Sequence, residues 1–438
     1  MGKRIAFVGA GALGGYVGGN FAQMGLDVTL IDPWPENIET IRKRGLELNG
    51  LTPEERFTVT KAKTLHLTEV QSLAKTPVDI AFVAMKSYDT AWATALIKPY
   101  LSAQGFVVSL QNCLNEETIA SIVGWGRTVG VVASLISVDL YEAGKIRRTI
   151  AKGGDEHTVF RVGEPHGRVT ERVEELVGWF KGIDSSKVTT NLWGERWTKL
   201  VQNGMGNGVT AATGLTTGDC ARNDVIRRFQ IKLGGEAVRV GQALGFQLEK
   251  IKGLDAEQLA LASEGDADAL RAVEASMIPK DSAPNPRASI QRPSMAQDML
   301  KGRRTEIDAM NGFIAVKGAE VGVPAPSHAK LTEIVTKVER GELKASPGNL
   351  LMGVSLTMLP STALTTMSWR WPSLKTVTLT AGGSLPGFMA ASRTTPPLVF
   401  SSALVMAAGT VSVAPVTLPV AGSTVTRFCS PPQVTMIS

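Results

Sequence analysis

The chain has 438 residues, room for two or three domains of ordinary length, and its 43% hydrophobic and 20% charged content excludes a disordered chain. The formal net charge of +6 belongs almost wholly to the last quarter of the chain. There Lys344, Arg370, Lys375, Arg393 and Arg427 have no acidic partner, whereas the residues before them balance at 41 basic against 40 acidic. Five scattered cations do not make a phosphate-binding stripe, so nucleic acid is not an expected partner.

Arg4–Gly9 (RIAFVG) is an unbroken apolar run ending in glycine, the pattern of a strand buried on both faces. The N-terminus passes straight into it, with an apolar stretch too short for a signal peptide. Cys113, Cys220 and Cys429 stand far apart, without metal-ligand spacing, so a reducing compartment, the cytoplasm, is expected and a metal is not. A helix pattern runs from Leu13 to Met24, Gly25 closes it, and Asp27–Ile31 makes a second strand. Asp79–Met85, Gly105–Leu110 and Thr128–Ser134 are further strands of the buried type, with helical segments between several of them. This alternation predicts an α/β fold built on a doubly wound parallel sheet. Ile146–Ile150 and Thr158–Val162 add two strands, and Arg172–Lys181 a helix.

From Trp193 the pattern turns helical, over 193–212, 224–244, 256–275, 293–320 and 327–340. A boundary near residue 190 therefore separates a dinucleotide-binding domain, 1–190, from a helical substrate domain, 191–345. Residues 346–438 are rich in Ser, Thr, Pro, Val and Ala and hold no carboxylate, a composition that predicts a disordered extension. Within it, Pro396, Pro397, Pro415 and Pro419 cut the uncharged stretch Thr394–Thr426 into pieces shorter than the ~20 residues of a membrane span. No span is expected.

Gly9-Ala10-Gly11-Ala12-Leu13-Gly14 reads G-x-G-x-x-G between a buried strand and a helix, the context that gives the pattern its meaning. Gly9 permits a tight turn, Gly11 lets a pyrophosphate approach the backbone, and Gly14 lets the helix pack on the strand, as in a Rossmann domain. Asp32 closes the second strand, where a carboxylate can accept from both ribose hydroxyls and repel a 2′-phosphate. NADH is therefore favoured; Trp34 and Lys43 leave NADPH open, because a nearby cation could offset the repulsion. Lys86 and Asn112 follow the Asp79–Met85 and Gly105–Leu110 strands at their carboxyl ends, where open α/β sheets bind ligands.

In the helical half, Lys199, Asn203 and Asn207 recur at i, i+4 and i+8, one face of a continuous helix. Gly204, Gly206 and Gly208 interrupt that helix at ~1 kcal/mol each relative to Ala, which predicts that something approaches its backbone closely. A second cluster runs from Ser294-Met295-Ala296-Gln297-Asp298 to Thr305-Glu306-Ile307-Asp308. There Asp298 reads as an ordinary surface partner of Arg303 or Arg304, and Glu306 as a carboxylate able to hold a lysine charged or bind a substrate hydroxyl.

Taken in order, Gly9–Gly14, Lys86, Leu110-Gln111-Asn112, Lys199-Leu200 with Asn203 and Asn207, and Ser294-Met295 through Asn311-Gly312 resemble the ketopantoate reductase (2-dehydropantoate 2-reductase) family. The resemblance implies a Rossmann domain followed by an all-α domain similar to that of 6-phosphogluconate dehydrogenase. It further implies that Lys199 donates a proton to the substrate oxygen, that Asn203, Asn207 and Ser294 bind substrate, that Glu306 contacts substrate and cofactor, and that Asn112 sits beside the nicotinamide. The implied reaction reduces ketopantoate to pantoate, toward pantothenate. Cys113 stands where the family has Gly, Thr217 where an Asn is frequent, Gln291 where a further Asn is found, and Arg292-Pro293 where small polar residues are usual. A different small 2-oxo or 2-hydroxy acid stays open on those grounds. A non-catalytic dinucleotide-binding regulator would have no use for Lys199 and Glu306. A homodimer is the default assembly.

Overall fold

The computed structural model describes residues 2–278 and 292–350, together with the backbone of five short strands between 366 and 414. Its contacts form two units, Met1–Val354 and Ser355–Ser438. In the second, Thr366–Trp371, Leu374–Ala381 and Met389–Ala391 pair antiparallel, as do Ala403–Ala407 and Thr410–Ala414. Most of the expected disordered extension lies outside the described residues. Gln291 does too.

In the first unit the chain alternates strands and helices: β1 (Arg4–Val8), α1 (Ala12–Gln23), β2 (Asp27–Asp32), α2 (Pro35–Arg44), β3 (Leu46–Asn49), β4 (Arg56–Val59), β5 (Lys63–His66) and β6 (Val78–Val83). Then come α3 (Thr90–Ile97), β7 (Leu101–Ser109), α4 (Glu116–Val123), β8 (Thr128–Ala133), β9 (Val138–Glu142), β10 (Lys145–Arg148), β11 (Phe160–Gly163), α5 (Glu171–Lys181) and β12 (Ser186–Val188). The main sheet has the order β12-β11-β8-β7-β6-β1-β2-β5. Its six strands from β8 to β5 are parallel, and β11 joins antiparallel to β8. This is the doubly wound Rossmann order, with its crevice where β1 meets β6. The expected fold is borne out.

Three strands the sequence left unread, β3 (LELN), β5 (KTLH) and β12 (SKV), are three or four residues long and mix charged with apolar positions. At that length a period of two cannot be told from a loop. β3, β4, β9 and β10 form a second small sheet, order β4-β3-β10-β9.

Aromatic rings hold α1 and α5 to the sheet. Phe7 and Phe82 stack at 4.5 Å between centroids on the neighbouring strands β1 and β6, while Phe21 and Phe180 meet edge to face at 5.3 Å above them. Along α1, Gly18 faces the Leu30 and Phe7 side chains, so any larger residue would lift the helix off the sheet.

The helical half comprises α6 (Leu192–Gly204), α7 (Asn207–Thr213), α8 (Thr217–Arg222), α9 (Asp224–Ala243), α10 (Ala256–Glu264), α11 (Ala267–Met277), α12 (Ser294–Leu300), α13 (Phe313–Glu320) and α14 (Pro326–Glu339). Its core gathers around the 20-residue α9, and the buried Trp197 ring donates its Nε1–H to Ala237 O at 2.8 Å. Three helices expected to be continuous are broken. Gly265 takes a left-handed conformation between α10 and α11. Residues 301–306 leave the helix, and a π-helical turn, Asp308–Gly312, leads into α13. Met205–Gly206 form a turn between α6 and α7. No helix among the described residues is long and apolar enough to cross a membrane.

Candidate active site

Because β1, β2, β6 and β7 run parallel, the loops after them open on one edge of the sheet. Gly9, at φ +107°, makes the first turn; a Cβ there would meet the Ala84 carbonyl, and one at Gly14 would strike the Gly9 carbonyl and Ala84. At Gly11 a Cβ would meet nothing within 4 Å, so this backbone, at the N-terminus of the 12-residue α1, faces open space. Bare backbone at such a terminus suits a pyrophosphate. A shallow depression of about 340 Å³ lined by Pro33, Leu67, Met85, Asp89 and Trp92 lies at the same edge and offers mixed polar and apolar walls to a flat ring. These residues fit a dinucleotide.

Asp32, buried at the end of β2, accepts the Ala10 N–H at 2.7 Å and the Trp34 N–H at 2.9 Å. The carboxylate thus ties the glycine turn to the second strand, a task the sequence reading did not include. Each oxygen keeps a further lone pair for a ribose hydroxyl. Burial raises its pKa even against those two N–H groups.

After β6, Lys86 does not stand free for a cofactor. Its amine pairs with Asp298 at 2.5 Å and lies 3.5 Å from Glu306. Asp298 therefore pairs with Lys86 across the molecule; the expected partnership with Arg303 or Arg304 is not what forms. Burial disfavours charge on Lys86, but Glu306 and Asp298 outweigh it and hold the amine above the ordinary lysine range. Burial raises Asp298. The buried Glu306 also accepts the Ser87 N–H at 2.9 Å and the Ser87 hydroxyl at 2.8 Å. One carboxylate from the helical half is thus fastened to the loop after β6.

After β7, the Gln111 amide donates to Met85 O at 2.9 Å and to Thr90 Oγ1 at 2.8 Å, joining adjacent loops. The Asn112 carbonyl accepts from Asn115 Nδ2 at 2.6 Å, and the residue is half-buried. Cys113 follows at φ +64°, a left-handed conformation that favours glycine. Its thiol is buried, and burial followed by the Glu306 charge pushes it up to about 12, so it is inert as a nucleophile.

Lys199 lies on α6, half-buried, with no ion pair among the described residues. Burial first, and then the neighbouring Arg196 guanidinium, push its amine down to about 7; the Glu306 carboxylate acts the other way. Asn203 stands one turn further on. The break at Met205–Gly206 takes Asn207 off that straight face and onto the first turn of α7. Neither asparagine amide is hydrogen-bonded to a described residue. Ser294 is the first residue of α12, half-buried.

Gly204 and Gly208 do admit a close approach, but from protein, while a Cβ at Gly206 would meet nothing within 4 Å. A Cβ at Gly204 would crowd Ile314 and His328, and one at Gly208 would crowd Leu331 and Ile307. Beneath the break, the buried Asn311 amide donates to Gly204 O at 3.0 Å and reaches His328 Nδ1 at 3.0 Å, while His328 Nε2 meets Leu233 O at 2.8 Å. Burial pushes His328 down to about 4, so it stays neutral and receives the Asn311 N–H at Nδ1. Ser87 and Arg196 were not singled out from the sequence, and Asp298 and Asn311 were given no role in the site. A buried arginine in Glu-Arg-Trp-Thr-Lys looks like any charged helix start, and only the partner loop distinguishes it.

A Rossmann sheet with an open glycine turn, facing a desolvated lysine on a helical domain, defines a nicotinamide-dependent oxidoreductase. Residues 5–160 match the family model "Ketopantoate reductase PanE/ApbA", and residues 191–339 match that of its C-terminal part. A 2-dehydropantoate 2-reductase of Pyrococcus horikoshii is 30% identical over 339 residues, 77% of this chain and 97% of that protein. The crystal structure of a ketopantoate reductase from Ralstonia eutropha is similar at TM-score 0.62 and 25% identity, covering 77% of this chain and 99% of the other. D-mandelate dehydrogenase, solved with NADH and anilino(oxo)acetate, shares the fold at TM-score 0.63 and 21% identity, covering 77% and 98%. The chain belongs to the ketopantoate reductase family.

Replacing Lys86 by Met leaves Asp298 and Glu306 buried side by side without their cation. We expect a loss of about 1–3 kcal/mol at neutral pH, at the lower end of what breaking such a pair costs because Lys86 is partly exposed. Asp298, whose carboxyl burial raises, is more stable protonated once its cation is gone, so the deficit should shrink as pH falls. Thermal melts of both proteins at pH 7.5 and pH 5 check this; an equal deficit at both values would contradict the pairing.

Proposed function

We propose that the chain reduces ketopantoate to pantoate with NADH. The observation that carries this reading is the half-buried Lys199 amine, brought near neutrality by burial and Arg196, in electrostatic reach of Glu306 and of the loop after β7. A dinucleotide bound at the glycine turn would supply a hydride to the substrate carbonyl carbon. The alkoxide that results needs a proton and a counter-charge at once, and an ammonium offers both. Lys199 is that donor. Its pKa of about 7 leaves it charged below neutrality yet ready to release its proton.

Glu306, held by Ser87 and Lys86, is placed to accept from a substrate hydroxyl and to keep Lys199 charged. Asn203, Asn207 and Ser294 would bind the substrate's polar groups, and the asparagines have no described protein partner to surrender first. Asn112 would lie along the nicotinamide face. NADH is favoured over NADPH because Asp32 puts a buried carboxylate where a 2′-phosphate would come. We further take the enzyme to be a cytoplasmic homodimer.

A second reading keeps the chemistry and changes the acid. Cys113, wedged into a left-handed position beside Lys199, adds bulk where the family has glycine. The fold shared with D-mandelate dehydrogenase also serves another acid in that protein.

NADH and NADPH oxidation with ketopantoate and a panel of 2-oxo acids, using the full chain, separates the two. Ketopantoate should be turned over fastest; preference for a bulkier or aromatic acid would favour the second reading, and no turnover of any would overturn both. Lys199→Ala should lower kcat by ~10²–10⁴-fold with dinucleotide affinity nearly intact. Asp32→Ala should narrow the NADH preference, and unchanged selectivity would mean that the ribose is read elsewhere.

A further inference from the structure

Arg196 is the most constrained side chain near the site. It is completely buried on α6, one turn before Lys199 and on the same face of the helix. Its Nε and Nη2 both donate to Glu116 Oε1, at 2.8 and 2.5 Å, at the start of α4. Its Nη1 donates to Gln111 O at 2.6 Å, and Nη2 reaches the carbonyl and hydroxyl of Ser109 at 3.1 Å. Ser109 ends β7, and Gln111 immediately precedes Asn112 and Cys113. One guanidinium therefore fastens the helix that carries the proton donor to the loop expected to line the nicotinamide.

Energy alone gives little reason for such a pair. Desolvating two charges costs several kcal/mol, and apolar residues of equal volume are frequently as stable or more so. What apolar residues cannot supply is directional hydrogen bonding and a positive charge. The groups that face Lys199 are Arg196 on its own helix, Cys113 in the loop after β7, Glu306 before the π-turn and Arg161 on β11. The two arginines favour the neutral amine, and the carboxylate favours the ammonium. Arg196 acts most strongly of these four.

We propose that Arg196 is a positioning residue for this reaction, clamping the Lys199 helix onto the Asn112 loop and fixing a positive charge one turn from the amine. The inference rests on Lys199 being the proton donor, but one arm of its test needs no substrate. Lysine side-chain nitrogens labelled with ¹⁵N and titrated by NMR, with Lys199→Arg for assignment, read the amine directly in the ligand-free protein. Two variants divide the roles. Arg196→Lys keeps the charge but loses the fork; Arg196→Gln with Glu116→Gln removes both charges and leaves amides to bond in their place.

The Lys199 titration should stay put in Arg196→Lys and rise by roughly one pH unit in the double variant, since a like charge has been removed. With substrate, Arg196→Lys should lose on the order of tenfold or more in kcat through misplacement alone. A Lys199 titration that is the same in the wild type and the double variant overturns the electrostatic role. Wild-type kcat in Arg196→Lys overturns the clamp, and if the double variant does not fold, the Arg196→Lys titration and rate still decide it. A wild type that turns over no oxo acid would sink the proposed function and leave the titration arm readable.

Discussion

Taking an ammonium out of water costs more than a protein interior usually returns, so a desolvated lysine settles toward its neutral form unless carboxylates hold its charge. The site is organised around that constraint at Lys199. Burial and Arg196 push the amine down, Glu306 pulls it up, and the outcome lies near neutrality. Lys86 shows the opposite outcome with the same ingredients. There two carboxylates approach one amine, at 2.5 and 3.5 Å, and hold it charged through any physiological pH. Two lysines thus take different parts because their partners differ, one able to give up a proton and the other fixed as a counter-charge.

These polar groups also join the two halves of the first unit. Glu306 and Asp298 reach Lys86 and Ser87 from the helical half, while Arg196 reaches Ser109, Gln111 and Glu116 of the Rossmann half. The loops after β6 and β7 are gripped from both sides, and Gln111 links them to each other through Met85 and Thr90. The edge that would receive the reactive end of a dinucleotide is accordingly the most cross-braced part of the cleft. The Gly9–Gly14 turn, by contrast, is braced from within the Rossmann half, through Asp32, the Ile31 carbonyl and the Asn37 amide, which donates to Ala10 O at 3.2 Å.

How much of this was readable beforehand follows from how far each signal travels along the chain. Buried parallel strands such as Arg4–Val8 and Val78–Val83 are apolar throughout, and the glycine turn carries its own spacing, so sheet and turn were legible. The face shared by Lys199 and Asn203 was legible too, because it needs only four residues of helix. Asn207 was misplaced on that same straight face, since the helix turns at Met205–Gly206, between two glycines packed against Ile314, Ile307 and Leu331 from far along the chain. The pairing of Asp298 with Lys86, and of Arg196 with Glu116, spans 212 and 80 residues. No local pattern announces such partners; topology alone brings them together.

The measurement that bears most directly on the account is the pH dependence of kcat/KM for oxo acid reduction by the wild-type enzyme, which reports the free enzyme's proton donor. With Lys199 titrating at about 7, kcat/KM should be level at acid pH and fall tenfold per unit as pH rises beyond neutrality. A profile flat to pH 9 or above would mean that the amine keeps an ordinary lysine pKa or that another group donates the proton, and either would contradict the reading of this site.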